Sequence, residues 1–136
     1  MEFMQQNAVY IFVAMLVGWM LWQRLLGPLL AGVKSMSAGE YMKMRDQAHT
    51  LVDVRTAGEW AAGHAPKAIH IPLSDIARRK SEIPQDKPVV VICASGNRSA
   101  NAAALLARAG YKPVYNFSGG MGSWGGAGLP VRSGRK

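Results

Sequence analysis

Val89-Val90-Val91-Ile92-Cys93-Ala94-Ser95-Gly96-Asn97-Arg98-Ser99 is the stretch that decides the fold. Its first four residues are β-formers without polar relief, the pattern of a central strand covered on both faces. Residues 99–109 are rich in alanine and leucine, place Ala102, Leu105, Leu106 and Ala109 on one stripe, and stop at Gly110. A buried strand running through a short polar loop into a helix is an α/β unit, and ligands in such sheets sit where strands give way to helices.

Outward from this unit the same alternation continues. Ser37 and Glu40, and again Thr56 and Glu59, have capping-box spacing, so helices are expected over 38–46 and from Thr56 to a stop near Gly63. Strands are expected over 50–54, 69–71 and 114–117, and a further helix over 74–81. Residues 118–130, dense in glycine, read as a turn region, and the tail beyond Val131 as mobile. The domain is therefore expected over 34–132, after an N-terminal segment 1–33 and before a tail 133–136.

The chain has 136 residues, one cysteine and three scattered histidines. That excludes an internal disulfide, a two-cysteine redox motif and a zinc cluster; no metal and no cofactor are expected. The net charge of +8 is spread along the chain, and only Arg78-Arg79-Lys80 forms a basic run, which argues against nucleic acid.

Residues 8–22 carry no charge and are almost wholly apolar. Fifteen residues of helix cover about 22 Å, short of the roughly 30 Å hydrocarbon layer, so a span must borrow from its flanks. A transmembrane helix over about residues 5–26 is expected, with Trp19 and Trp22 at an interface, Arg24 snorkelling, Leu25, Leu26, Leu29 and Leu30 extending it, Gly27-Pro28 ending it and 31–33 as linker. Basic residues follow the span and none precedes it, which puts the following domain on the cytoplasmic side of a single-pass inner membrane protein. A cleaved secretory signal would want a basic start, which is absent here.

At the loop, a sulfur on Cys93 would face the amides of Ala94, Ser95, Gly96 and Asn97 and the unsatisfied amides of the first helical turn. Arg98 adds a fixed positive charge, and the hydroxyls of Ser95 and Ser99 can bond an anionic sulfur. These influences favour a nucleophilic thiolate without a histidine base. A structural buried cysteine is the commoner fate of an unpaired one, but packing alone needs no glycine-rich anion cradle.

Cys93-x-x-Gly96-x-Arg98-Ser99 after a Val/Ile strand resembles the active-site loop of single-domain rhodaneses, the thiosulfate sulfurtransferase-like family. Asp53-Val54-Arg55 with Glu59-Trp60 and Gly63-His64, Ala68-Ile69-His70-Ile71-Pro72, and Gly119-Gly120, Trp124 and Gly128-Leu129-Pro130-Val131 are similar to further motifs of that family, so the resemblance covers about residues 34–132. It departs at Ala65-Pro66-Lys67, where the family more often has an apolar residue, proline and glycine. The resemblance implies a mostly parallel five-stranded sheet with helices on both faces and a Cys93 persulfide. It also implies thiosulfate or a protein persulfide as donor, and a thiol or cyanide as acceptor.

Asp53, Arg55 and Glu59 read as structural support, with an Arg55–Glu59 pair joining loop and helix, in preference to catalysis. His64 reads as a turn-stabilising residue, and Trp124 as packing beneath the glycine turns in preference to lining the substrate mouth. Four residues separate Cys93 from Arg98. The loop of cysteine phosphatases and arsenate reductases is longer, which disfavours those activities. A persulfide carrier dedicated to one partner protein is not separable from a broad enzyme at this level.

Overall fold

The computed structural model describes residues 2–23 and 32–134. Two helices come first, α1 (Glu2–Gln6) and α2 (Ala8–Leu21). The domain follows as β1 (Val33–Met36), α3 (Ala38–Met44), β2 (Thr50–Asp53), α4 (Ala57–Ala62), β3 (Ile69–His70), α5 (Ile76–Arg79), β4 (Val89–Ile92), α6 (Asn97–Arg108), β5 (Val114–Phe117) and α7 (Gly120–Gly126). The five strands form one sheet in the order β1-β5-β4-β2-β3, and every pairing is parallel.

The fully apolar β4 takes the middle of the sheet, buried along its whole length. Its side chains alternate between two cores. Val89, Val91 and Cys93 face Ile76, Ile83, Ala102, Ala103 and Leu106, whereas Val90 and Ile92 face Tyr41, Phe117, Trp124 and Leu129. Cys93 continues the strand's alternation, and this aims its sulfur at the α6 side. Both expected capping boxes form, at Ser37–Glu40 and Thr56–Glu59.

Several elements differ from the sequence expectation. Residues 33–36, assigned in part to a linker, form the edge strand β1, because Val33 and Met36 are buried and the backbone pairs with β5 in register Val33 to Val114. The helix expected over 74–81 is broken into α5 between 3-10 turns at Leu73–Asp75 and Lys80–Glu82. The glycine-rich turn contains α7, four of whose seven residues are glycine, and burial of Trp124 outweighs their low helix propensity. The segment after Val131 is tied down: Arg132 and His64 form an antiparallel bridge, and the Gly134 amide donates to the Ala61 carbonyl. Arg135 and Lys136 lie outside the described residues.

The N-terminal helices also differ. Asn7 separates α1 from α2, its side chain donating to the Phe3 carbonyl at 2.7 Å. The 14 residues of α2 rise about 21 Å, and among the described residues no helix is long and apolar enough to cross a membrane. Among the described residues nothing covers α2; Val9, Tyr10, Phe12, Met15 and Trp19 are exposed. The expected contributions of Arg24, Leu25, Leu26, Gly27-Pro28, Leu29, Leu30 and Ala31 lie outside the described residues.

At the end of β2, Asp53 has no exposed surface and takes both Nε and Nη2 of Arg55, the shortest contact being 2.8 Å. Arg55 also donates to the Gly63 carbonyl at 2.6 Å, and its own carbonyl oxygen is met by His70 Nε2 at 2.7 Å. This buried pair joins β2, α4 and β3. Removing one partner strands a charge, so Asp53→Ala should lower unfolding free energy by about 3–5 kcal/mol. Denaturant melts of the two proteins check it; a loss below about 1 kcal/mol would mean that Arg55 finds water in place of the carboxylate.

Candidate functional site

β4 delivers Cys93 to the sheet's carboxyl end, and the chain turns at once into α6. Gly96 makes that turn with φ +101°, a conformation costly for any residue with a Cβ. The helix then starts at Asn97, two residues earlier than the alanine-rich pattern predicts, and so includes Arg98.

Cys93 is buried; its Sγ accepts from the Gly96 amide at 3.0 Å and has the Ser99 hydroxyl within reach at 3.3 Å. Burial pushes the thiol up, but the Ser99 hydroxyl and the amides of Ser99, Ser95 and Gly96 outweigh it and hold the thiol below its ordinary value. The Gly96 amide and the Ser99 hydroxyl both lie within hydrogen-bond reach of the one sulfur. Ala94, Ser95 and Asn97 form the exposed rim.

The floor of the loop comes from far along the chain. The Met121 amide donates to the Cys93 carbonyl at 2.9 Å. A Cβ on Gly120, where φ is +56°, would collide with the backbone of Cys93 and Ala94, so only glycine fits. Asn116 on β5 donates through Nδ2 to the Gly96 carbonyl at 3.1 Å and accepts the Ser99 hydroxyl through Oδ1 at 2.5 Å. Sequence reasoning did not single out Asn116 or Met121, and Gly120 entered only as part of a family motif.

Arg98, expected to place its charge beside the sulfur, aims its guanidinium at Glu59. Its two Nη atoms grip Glu59 at 2.7 and 2.8 Å, tying the N-terminus of α6 to that of α4. The expected Arg55–Glu59 pair is therefore replaced by two others: Arg55 with buried Asp53, and Glu59 with Arg98. The Arg98 guanidinium, aided by Thr56 and opposed by burial, holds the Glu59 carboxyl down to about 2. A depressed folded value means the pair stabilises above the ordinary carboxylate range and is lost as pH falls toward about 2. Both partners are about one-third exposed, so solvent screens the pair.

Trp124 is buried against Tyr41 and Phe117 and donates Nε1 to the Pro130 carbonyl at 2.9 Å, away from the loop. His64 is buried, stacked on Trp60 with ring centroids 3.6 Å apart, and bonds the Trp60 carbonyl through Nδ1. A cleft of about 220 Å³ lined by Tyr41, Arg45, His49, Lys67 and Trp124 includes no residue of the Cys93 loop.

The Rhodanese-like domain family matches residues 37–127 of this chain. A protein of Allochromatium vinosum named Sulfurtransferase is 47% identical over 81 residues, 60% of this chain and 76% of its own. Thiosulfate sulfurtransferase GlpE of Pseudomonas savastanoi pv. phaseolicola is 40% identical over 81 residues, again 60% and 76% of the two chains. The crystal structure of a rhodanese-related protein from Thermoplasma volcanium superposes with a TM-score of 0.68 at 34% identity, covering 73% of this chain and 97% of that one. A buried, donor-ringed cysteine between the central strand and its helix, on an all-parallel five-stranded sheet, is thus met by a family match over the same residues, and the chain belongs to the rhodanese-like domain family.

Proposed function

We propose that the chain is a sulfurtransferase that moves sulfane sulfur from thiosulfate or a persulfide donor to a thiophilic acceptor through a persulfide on Cys93. The observation that carries this reading is the set of donors around Cys93 Sγ, from Gly96, Ser95 and Ser99, which favours the thiolate. The thiolate attacks the outer sulfur of thiosulfate; the Sγ–S bond forms, the S–S bond breaks, and sulfite leaves with the electron pair. An acceptor such as cyanide then attacks the terminal sulfur, thiocyanate leaves, and the thiolate returns. No cofactor enters either step. Ala94, Ser95, Gly96, Asn97, Arg98 and Ser99 form the substrate loop, while Asp53, Arg55, Glu59 and Trp124 support it.

The alternative is a carrier that passes sulfur to one partner protein with little small-molecule turnover. Burial of the sulfur beneath an exposed rim of Ala94, Ser95 and Asn97 favours it, because a fitted protein surface could engage that rim.

We further propose that α2, apolar and uncovered, anchors the chain to the inner membrane together with its flanks. The domain then faces the cytoplasm, as the basic residues after the segment suggest.

Three measurements test these readings. Intact mass after thiosulfate should rise by one sulfur on the parent, not on Cys93→Ser, and cyanide should discharge it; an unchanged parent mass would sink thiosulfate as donor, and sulfur retained against cyanide but lost to a protein acceptor would select the carrier. The rate of sulfur uptake should rise with pH and level off below the ordinary thiol value, because the thiolate is the reactive form and its donors lower the Cys93 pKa. Ser99→Ala should move that rise to higher pH. The full chain should float with lipid vesicles and a chain lacking residues 1–31 should not; equal behaviour of the two would remove the anchor.

A further inference from the structure

Ser99 Oγ lies 2.5 Å from Asn116 Oδ1 and 3.3 Å from Cys93 Sγ, and its hydroxyl carries a single proton. It can donate to only one of the two acceptors at a time. The Asn116 amide cannot be turned round to relieve the competition. Its Nδ2 donates to the Gly96 carbonyl, which only accepts, so its oxygen must face Ser99. The shorter distance assigns the proton to Asn116 in this state. An anionic sulfur is a stronger acceptor than a neutral amide oxygen, since a charge-assisted hydrogen bond outweighs a neutral one.

We propose that Asn116 is a positioning residue that parks the Ser99 proton while Cys93 is a neutral thiol and releases it to the sulfur when Cys93 is a thiolate or a persulfide anion. On ionisation the thiol proton leaves to water, the Ser99 hydroxyl proton swings about the Cβ–Oγ bond, and only hydrogen bonds change partners. Asn116 does not touch the sulfur. Through Nδ2 it also fixes the Gly96 carbonyl, which keeps the Gly96 amide aimed at Sγ while the hydroxyl moves.

Among the described residues, the charged groups around the loop are the Arg98–Glu59 pair from α6 and α4 and the Asp53–Arg55 pair at the end of β2. α7 carries no charged side chain, and Tyr115, the titratable residue of β5, packs with the opposite core. A change at position 116 leaves all of these in place. The proposal rests on Cys93 being the sulfur-bearing residue, but its test reads ionisation and needs no turnover.

The experiment is a pH titration of thiolate absorbance in the full chain for the parent, Asn116→Ala, Asn116→Asp, Ser99→Ala, and both position-116 changes combined with Ser99→Ala, with circular dichroism to establish folding. Asn116→Ala frees the hydroxyl, which lowers the Cys93 pKa, and releases the Gly96 carbonyl, which raises it. The Ser99→Ala background reads the second effect alone, and the difference between the two backgrounds should be a lowering of about half a unit to one unit. Asn116→Asp holds the proton more tightly, adds negative charge, and should raise the Cys93 pKa. Removing Ser99 should leave only the Gly96 effect in Asn116→Ala, and the Gly96 and charge effects in Asn116→Asp. Shifts of equal size with and without Ser99, or a Ser99-dependent part of the Asn116→Ala shift that raises the value, would overturn the proposal. If Asn116→Ala does not fold, the Asn116→Asp comparison decides by the same criterion. A parent that takes up no sulfur would defeat the sulfurtransferase reading instead, leaving this comparison standing.

Discussion

The side chains of Val89 to Ile92 contain no group that water can satisfy, so the strand has to be covered on both faces. That requirement sets the architecture. Helix α6 with α5 covers one face, α3 with α7 the other, and the flanking parallel strands β2 and β5 saturate the backbone ladder. It also sets the chemistry. The first residue beyond the ladder, Cys93, has no exposed surface, and a polarisable sulfur there must find its donors within the protein.

The donors come from a loop whose shape is fixed by elements distant in sequence. Gly96 turns the chain, α6 supplies the Ser99 hydroxyl and amide, β5 supplies Asn116, and α7 presses Gly120 against the loop's underside. The Glu59–Arg98 pair fastens the outer side of the loop to α4, whose own start is capped by Thr56 and Glu59. One carboxylate thus closes a helix end and holds the helix that bears the loop. The design spends its polar groups in pairs, and among the described residues no buried side-chain nitrogen or oxygen lacks a partner.

Legibility in the sequence follows the range of the interactions. Capping boxes act over three residues, and both are readable from Ser37 and Thr56; the run of four apolar β-formers makes β4 readable; the glycine after Cys93 and the serine after Arg98 point to an anion cradle. Long-range pairings leave no local trace. Glu59 and Arg98 are 39 residues apart, so sequence spacing assigns the carboxylate to the nearer Arg55. Val33-Lys34-Ser35-Met36 has a burial pattern with its two central residues exposed, not the alternation of a strand, and pairing with β5 is what makes it one. Helix α7 is hidden because its glycines argue for a turn, while the burial of Trp124 that stabilises it is a tertiary fact.

The contact between α7 and the loop makes the Cys93 cradle depend on a distant part of the chain. The Met121 amide and the bare Cα of Gly120 support Cys93 and Ala94 from a segment made almost thirty residues later, and Asn116 precedes that segment by only a few. A nascent chain that has emerged only through α6 holds a cysteine without its floor and without the partner that fixes Gly96. The Ser95, Gly96 and Ser99 donors are then present but unsupported, since what holds the loop in place comes with β5 and α7. The cradle is thus completed only when β5 and α7 have joined the fold, and any lesion that loosens the C-terminal turn withdraws its floor without altering a residue of the Cys93 loop.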